Sequence, residues 1–402
     1  MTSIALGAVA AVPYHALAQN GAAGALYLDP SVRAAGMGGA ATGVSWGGAP
    51  DTWANPALRA FFAGVGYSST GSPIRDAGEG VTELHAHSWS MAGAGVGVSV
   101  AGRPMDLGGS HLESNLAPTE IGRDGFRESL ASAGVGVSLS GLLNAWPASP
   151  AAPRHPRQFG RVADVDFGYS WKRDALATGS AEDAPVAAGV AARDRGLLLR
   201  VTPYSSVDDE TSRRRLERAI GGARLDLTFG GADLNYTRAP FTYSDGRASR
   251  PVSRADRYGW TMHVTAGYVQ ASATSRLSRW LAPLSPLVSF GRAWDHATWT
   301  TQGLTPTDPS FSASVVEHAG WELTLASVLS LRGGRILDHT LAVEGVTSGT
   351  TIALPLARYG GIRWDRASTP TLLPGTTGRT VHRNAVSVWV APSVVLHRTR
   401  ST

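Results

Sequence analysis

Histidines that stand close to hydroxyl residues are the side chains of this sequence whose types and spacing could do chemistry. Two groups have this composition: His85 and His87 with Ser88 and Ser90, and His263 with Thr261 and Thr265. A hydrolase needs a hydroxyl nucleophile, a histidine base and usually an acidic or amide partner. A spacing of two residues would also place His85 and His87 on one face of a strand, as metal ligands require, but no third ligand stands near them.

Ordinary structural roles account for these residues better than catalysis does. A chain with 11 His places some of them at alternating positions of strands by chance. The acidic residues Asp208, Asp209 and Glu210 could bind a divalent cation, but an exposed charged loop is the simpler explanation. We therefore predict that the protein is not an enzyme and has no catalytic residues, metal site or cofactor.

The composition limits the class of protein. Gly accounts for 48 of 402 residues and charged residues for 17%, against usual values of ~7% and ~25%. There is no Cys and no run of about 20 apolar residues, so disulfide frameworks and membrane-spanning helices are not predicted. The net charge of +5 comes almost entirely from Arg scattered through predicted loops, which argues against a nucleic-acid partner.

Alternation of apolar residues with polar or small ones is the main pattern in the rest of the chain. Residues 163–171, 223–229 and 258–268 show it most clearly, and it is typical of strands with two different faces. About fourteen or fifteen such segments can be counted. The one helical pattern, at residues 208–219, predicts a short exposed helix in a loop.

The connections between the predicted strands differ in length. Glycines predict tight turns at Ala92-Gly93, Gly230-Gly231 and Gly333-Gly334. Six long connections are predicted at residues 103–129, 144–158, 202–222, 239–257, 302–317 and 366–383. Tight turns at one end and long loops at the other are typical of a transmembrane β-barrel.

A closed barrel also explains the residue types on the strands. Aromatic pairs such as Tyr169 with Trp171 end the apolar faces, as at a membrane interface. A chain with so many strands avoids exposed edges by closing its sheet. We predict an all-β fold, a transmembrane antiparallel up-and-down β-barrel of about 14 strands; a large soluble sandwich or propeller is the alternative.

A specific motif lies near the N-terminus. Residues 29–40 read DPSVRAAGMGGA, and residues 53–58 read WANPAL. This resembles the N-terminal signature of the FadL and PorV/PorQ superfamily of outer-membrane β-barrel proteins, and residues 321–334 and 360–365 are similar to C-terminal hairpins of the PorV/PorQ branch. The resemblance implies an N-terminal plug or hatch segment, with motif residues Gly36, Met37, Gly38, Gly39, Asn55 and Pro56.

The resemblance and the composition together predict how the chain is divided. Residues 1–18 are expected to be a signal peptide, because a short apolar stretch precedes Ala16-Leu17-Ala18, a small-x-small cleavage pattern. Residues 19–60 would form the plug, residues 61–396 the barrel and residues 397–402 a polar tail. The predicted location is the outer membrane of a Gram-negative-type bacterium.

Charged and polar residues on the strands are expected to face the lumen, because a charge in the lipid near the midplane costs ~2–4 kcal/mol. The candidates for the lumen are Arg200, Arg224, Asp226, His263, Arg363 and Asp365.

Two functions remain open at this point. The first is a passive channel for hydrophobic or amphipathic small molecules, as the FadL resemblance implies. The second is a PorV/PorQ-like secretion or surface scaffold that docks partner proteins through its long loops. Either protein would be surrounded by outer-membrane lipid.

Overall fold

The computed structural model describes most of the region between residues 29 and 390. The described ranges are 29–46, 52–60, 64–75, 81–93, 95–107, 125–145, 162–179, 186–206, 220–237, 240–243, 248–251, 253–269, 281–301, 312–340, 343–356, 360–370 and 380–390. The predicted signal peptide, the predicted helix at 208–219 and the polar tail lie outside these residues.

Strands make up most of the described chain. They are β1 Gly64–Arg75, β2 Val81–Gly93, β3 Val96–Leu107, β4 Gly125–Ser138, β5 Ala163–Gly179, β6 Val186–Ser205, β7 Ile220–Leu234, β8 Pro240–Tyr243, β9 Ala248–Pro251, β10 Arg254–Val269, β11 Val288–Thr301, β12 Ser312–Leu325, β13 Leu329–Asp338, β14 Val343–Pro355, β15 Gly360–Pro370 and β16 Thr380–Val390. Two α-helices, α1 Val32–Gly36 and α2 Leu139–Ala145, and two 3-10 helices, Pro56–Ala60 and Ala282–Leu284, accompany them. Within the described ranges, no helix has the length and apolar character to cross a membrane.

Fourteen of the strands form one closed antiparallel barrel. Each of these strands pairs with its neighbours along the chain, β16 pairs with β1, and β5 pairs with β6 to complete the ring. β8 and β9 form a small hairpin that pairs with β6 beyond the end of β7. The predicted all-β antiparallel barrel of about 14 strands is therefore confirmed.

Burial alternates along the strands with a period of two. In β5, Asp164, Asp166 and Lys172 are buried, whereas Phe167 and Trp171 are 54% and 47% exposed. Because successive side chains of a strand point to opposite faces, the polar set faces the lumen and the apolar set faces outward. This is the polarity of a membrane barrel, which presents its apolar side chains to lipid.

The outward face also changes along each strand. In β10, Val264 and Met262 are followed by Trp260 and Tyr258, and then by the charged residue Asp256. Aromatic rings are amphipathic and favour the boundary between hydrocarbon and water. The other outward aromatic residues on the strands include Tyr67, Trp89, Trp171, Trp294, Trp321 and Trp364. The strands thus continue past the apolar band into a polar region.

Two of the three predicted glycine turns are wrong. Gly230-Gly231 lies inside β7 and Gly333-Gly334 lies inside β13, whereas Ala92-Gly93 ends β2 shortly before β3 begins at Val96. Gly230 of the first pair and Gly334 of the second pair face the lumen and contact the backbone of the N-terminal segment. At these positions glycine leaves room for the N-terminal segment and does not mark a turn.

The predicted separation of tight and long connections is also wrong in part. Successive connections of an antiparallel barrel alternate between its two ends. The long intervals from β4 to β5 and from β6 to β7 therefore begin and end at the same end of the barrel as the short intervals from β2 to β3 and from β12 to β13. The first of them contains α2, whose backbone is held by Asp164 through Ser140 N–H at 3.0 Å.

The division of the outward face into an apolar band and a polar region can be tested on β14. Ile352 is 54% exposed in the apolar band, and Ser348 lies on the same face, four residues closer to the polar region. We expect Ile352→Arg to cost ~2–4 kcal/mol because it places a charge in lipid, and Ser348→Arg to cost ~1 kcal/mol or less. The folded fraction in lipid vesicles, measured by heat-modifiable gel migration, checks this; equal losses would contradict the assigned depth.

Candidate functional site: the segment inside the barrel

The N-terminal segment, residues 29–46 and 52–60, lies inside the barrel. Its residues Val32, Met37, Ala40 and Leu58 are almost completely buried, although the segment contains only short helices. The side chain of Ser31 caps α1 by accepting a hydrogen bond from Ala34 N–H at 3.0 Å. A segment with so little regular structure depends on the barrel wall for its position.

Glycines on the inner face of the wall receive the backbone of this segment. A methyl group at any of six inward glycines would lie less than 3.0 Å from the segment's backbone: Gly97, Gly136, Gly168, Gly230, Gly320 and Gly334. They come from six different strands, so the contact runs around much of the barrel. Close approach of two backbones requires that no side chain intervenes. We call these residues the inner glycines.

The predicted motif glycines lie at the centre of this contact. Gly38 and Gly39 have φ of +70° and +85°, and Gly38 packs directly on the backbone of Arg335. A side chain is strained at such φ values. Gly38 C=O also lies 2.5 Å from Nδ1 of His318. Gly36 contacts Gly349, and Met37 is fully buried beside the inner glycine Gly320.

A buried group of ion pairs joins the segment to β12, β13 and β15. Arg33 donates to Glu322 through Nε at 2.7 Å and Nη2 at 2.6 Å. Arg332 links Glu322 at 2.5 Å to Asp365 at 3.1 Å, and Arg363 binds Asp365 at 2.6 Å. These five residues are named the Glu322 cluster. Because each charge has an opposite partner, the cost of removing it from water is offset.

Asp295 on β11 holds the next part of the segment. One carboxylate oxygen accepts hydrogen bonds from the backbone N–H groups of Ala41 at 2.8 Å and Thr42 at 2.7 Å. The same oxygen accepts from Arg257 at 3.0 Å, and Arg257 also donates to Gly39 C=O at 2.9 Å. A fully buried carboxylate thus replaces the missing backbone partners of an irregular segment.

Asn55 and Pro56, the second part of the motif, anchor the end of the segment. The amide of Asn55 donates to Thr42 C=O at 2.9 Å and Leu197 C=O at 3.0 Å, and its oxygen accepts from Ala57 N–H at 3.0 Å. Pro56 packs on the inner glycine Gly168. Asn55 therefore joins two stretches of the segment to β6.

The predicted lumen residues of β6, β7, β10 and β15 are placed as follows. Arg200 pairs with Asp164 at 3.3 Å, and Arg224 pairs with Asp226 at 2.8 Å. His263 stacks on Trp46 of the segment, with ring centroids 4.7 Å apart and planes 10° from parallel. Arg363 and Asp365 belong to the Glu322 cluster. His263, Arg363 and Asp365 thus lie at the segment, whereas the other three form wall pairs.

The histidine and hydroxyl groups named from the sequence have the following positions. His87 shares the outward face of β2 with Trp89, whereas Ser88 and Ser90 lie on the inner face. Thr261 is occupied by a hydrogen bond to Gly43 C=O at 3.0 Å. Across the described ranges, no three His, Asp or Glu side chains are arranged to hold a metal ion.

Sequence reasoning missed Arg33, Glu322, Asp295 and the inner glycines. One signal was available, because Arg33 is the only charged residue between Pro30 and Asp51. An isolated charge in a stretch of small residues needs a partner, but the partner stands 289 positions away in the sequence. The spacing of residues therefore could not identify it.

Comparisons with known proteins find similarity among solved structures only. No protein-family model and no curated protein matches the chain. The Ralstonia pickettii toluene transporter TbuX has 12% identity and a TM-score of 0.42, with 90% of this chain and 98% of that chain covered. The Pseudomonas putida toluene transporter TodX has 11% identity and a TM-score of 0.38, covering 89% and 96%.

A Pseudomonas aeruginosa FadL homologue has 9% identity and a TM-score of 0.36, with 90% of this chain and 98% of that chain covered. These similarities are low, and the fold is established by the strand pairing of the chain itself. A closed barrel of fourteen strands with the N-terminal segment against its inner glycines is the architecture that the sequence resemblance implied.

The role of the inner glycines can be tested on adjacent residues. A methyl group at Gly230 would strike Thr42 C=O, whereas at Gly231 its nearest neighbour is 4.0 Å away. We expect Gly230→Ala to destabilise the seating of the segment by about 1–3 kcal/mol through overpacking, with little effect from Gly231→Ala. Hydrogen exchange at residues 41–46 of the folded barrel measures this, and equal exchange in both variants would contradict it.

Proposed function

We propose that the protein is an outer-membrane channel of the FadL-like type that passes hydrophobic or amphipathic small molecules without catalysis. The observation that carries the proposal is the N-terminal segment seated inside a closed barrel. Such a segment blocks the lumen, and a wall with an outward apolar band has lipid as its surroundings. The bacterial outer membrane is the location that accommodates a barrel of this kind.

The seated segment corresponds to a closed state. The cavity between the segment and β1, β2 and β16 has a volume of about 40 Å³, which is room for a few water molecules. An organic solute needs more space than this cavity offers, so passage at this position requires the segment to move. Conduction would therefore be coupled to breaking some of the contacts of the segment.

The Glu322 cluster is the contact most suited to such a transition. Arg33 belongs to the segment, whereas Glu322, Arg332, Arg363 and Asp365 belong to the wall. When Arg33 leaves, the wall retains two guanidinium groups and two carboxylates, so its own charges still balance. Because the charges of the wall are balanced without Arg33, the segment could leave and return without leaving an unpaired charge on the wall.

The absence of catalysis forms part of the same proposal. His87 and the hydroxyls of Ser88 and Ser90 lie on opposite faces of β2. Thr261 is bound to the segment, and Thr265 is bound to Tyr268. These placements support binding and gating roles for the polar residues.

A secretion or surface scaffold of the PorV/PorQ type is the second candidate. The observation in its favour is that β5, with 17 residues, and β6, with 20 residues, exceed the ~9–11 residues that cross a bilayer. These extensions would present polar wall above the lipid to a partner protein. Recovery of a stable complex from native membranes would favour this role over the channel.

The channel is tested by weakening the cluster in matched variants. Glu322→Gln leaves Arg33 and Arg332 short of a carboxylate, and breaking a buried pair costs ~3–5 kcal/mol. Glu344→Gln removes a carboxylate from a pair with Arg335 whose side chains are 54% exposed, where little is lost. We expect faster entry of a hydrophobic fluorescent probe into vesicles containing the Glu322→Gln variant, and unchanged entry with Glu344→Gln.

A variant that lacks residues 29–46 completes the experiment. It should give the fastest entry, provided that heat-modifiable migration shows an intact barrel. Equal permeability of the wild type, the Glu322→Gln variant and this deletion to hydrophobic probes would refute the channel.

A further inference from the structure

Arg59 occupies an unusual position at the end of the 3-10 helix Pro56–Ala60. Arg59 is only 7% exposed. Its backbone packs on Gly97 and Gly136, and its guanidinium lies over Gly134 of β4. Three glycines of the wall thus make room for one arginine. This large cationic side chain lies inside the barrel, which raises the question of which group balances its charge.

The charge of Arg59 lacks a carboxylate partner among the described residues. Its Nε donates to Ser99 Oγ at 2.5 Å, and its Nη1 is buried without a hydrogen-bond partner there. Asp194, the carboxylate that acts on it electrostatically, is already paired with Lys172 at 2.7 Å. By contrast, Arg33, Arg257 and Arg332 each bind a carboxylate directly.

Arg59 lines the same cavity of about 40 Å³ that lies between the segment and the wall. The wall of this cavity carries hydroxyl groups from β1, β2, β3, β4 and β16, namely those of Ser68, Ser88, Ser90, Ser99, Ser132 and Ser387. Hydroxyl groups can donate hydrogen bonds to an anion as well as accept them. The cavity therefore offers donors on several sides of a small space.

The charges at the cavity favour an anion over a cation. Arg33, Arg363 and Asp365 of the Glu322 cluster line the cavity with a surplus of one positive charge, and Arg59 raises the surplus to two. Burial lowers the pKa of Arg59 to about 10, which still leaves it charged at neutral pH. A buried charge without a partner is costly, and a bound anion would remove that cost.

We propose that Arg59 and the surrounding serine hydroxyls form a binding site for a small inorganic anion of the halide class. The size of the cavity selects such an ion, because there is room for a few water molecules and not for an organic acid. The bound ion would tie residues 52–60 of the segment to β2, β3 and β4. This site goes beyond the proposed transport function and does not depend on it.

The site is tested on the full-length barrel folded in detergent, by comparing sodium chloride or bromide with sodium gluconate at equal ionic strength. Gluconate is too large for the cavity, so we expect halide to raise the midpoint of thermal unfolding by a few degrees. Crystals grown in bromide should show an anomalous peak beside the Arg59 guanidinium. No halide dependence in the wild type, or bromide at surface positions only, would overturn the proposal.

Variants assign the effect to Arg59. Arg59→Met should lose the halide dependence, Arg59→Lys should keep part of it, and Arg335→Met, on the outer face, should keep all of it. If Arg59→Met fails to fold, the lysine variant and the bromide peak still decide the question. Halide dependence that persists unchanged in Arg59→Met would overturn the site, whereas failure of hydrophobic transport would leave it intact.

Discussion

Contact between two backbones inside the barrel is the interaction on which the rest of this structure depends. Fourteen strands enclose a lumen. The segment inside it has only short helices, so few of its backbone groups form hydrogen bonds within regular structure. The inner glycines permit the segment to approach the wall, and Gly38 permits the wall to approach the segment. The polar contacts between the segment and the wall follow from this proximity, because hydrogen bonds and ion pairs need groups within about 3 Å.

Polar groups of the wall then provide the hydrogen bonds to the segment that regular secondary structure would otherwise provide. Asp295 accepts two backbone N–H groups of the segment, and Asn55 and the Glu322 cluster join it to opposite sides of the lumen. Such polar contacts add to the burial of Val32, Met37 and Leu58 in holding in one place a segment that has little regular structure.

The sequence predicted those features that depend on neighbours along the chain. Alternation in residues 163–171 and 258–268 identified the strands and both of their faces, because a period of two is a property of the extended backbone itself. The motif at residues 29–58 identified the segment only through family resemblance. Gly230 and Gly334 were misassigned, since a glycine at a turn and a glycine beneath another backbone look the same in a sequence.

By itself, then, the sequence determined an alternating, cysteine-free chain whose strands separate a lipid face from a polar face. Only the tertiary structure decided which polar residues meet, as in Arg33 with Glu322 across 289 positions, and which charge, that of Arg59, is left without a carboxylate partner among the described residues. The physical reason is that backbone periodicity is local. Charge pairing depends on distances that arise when the barrel closes around its segment.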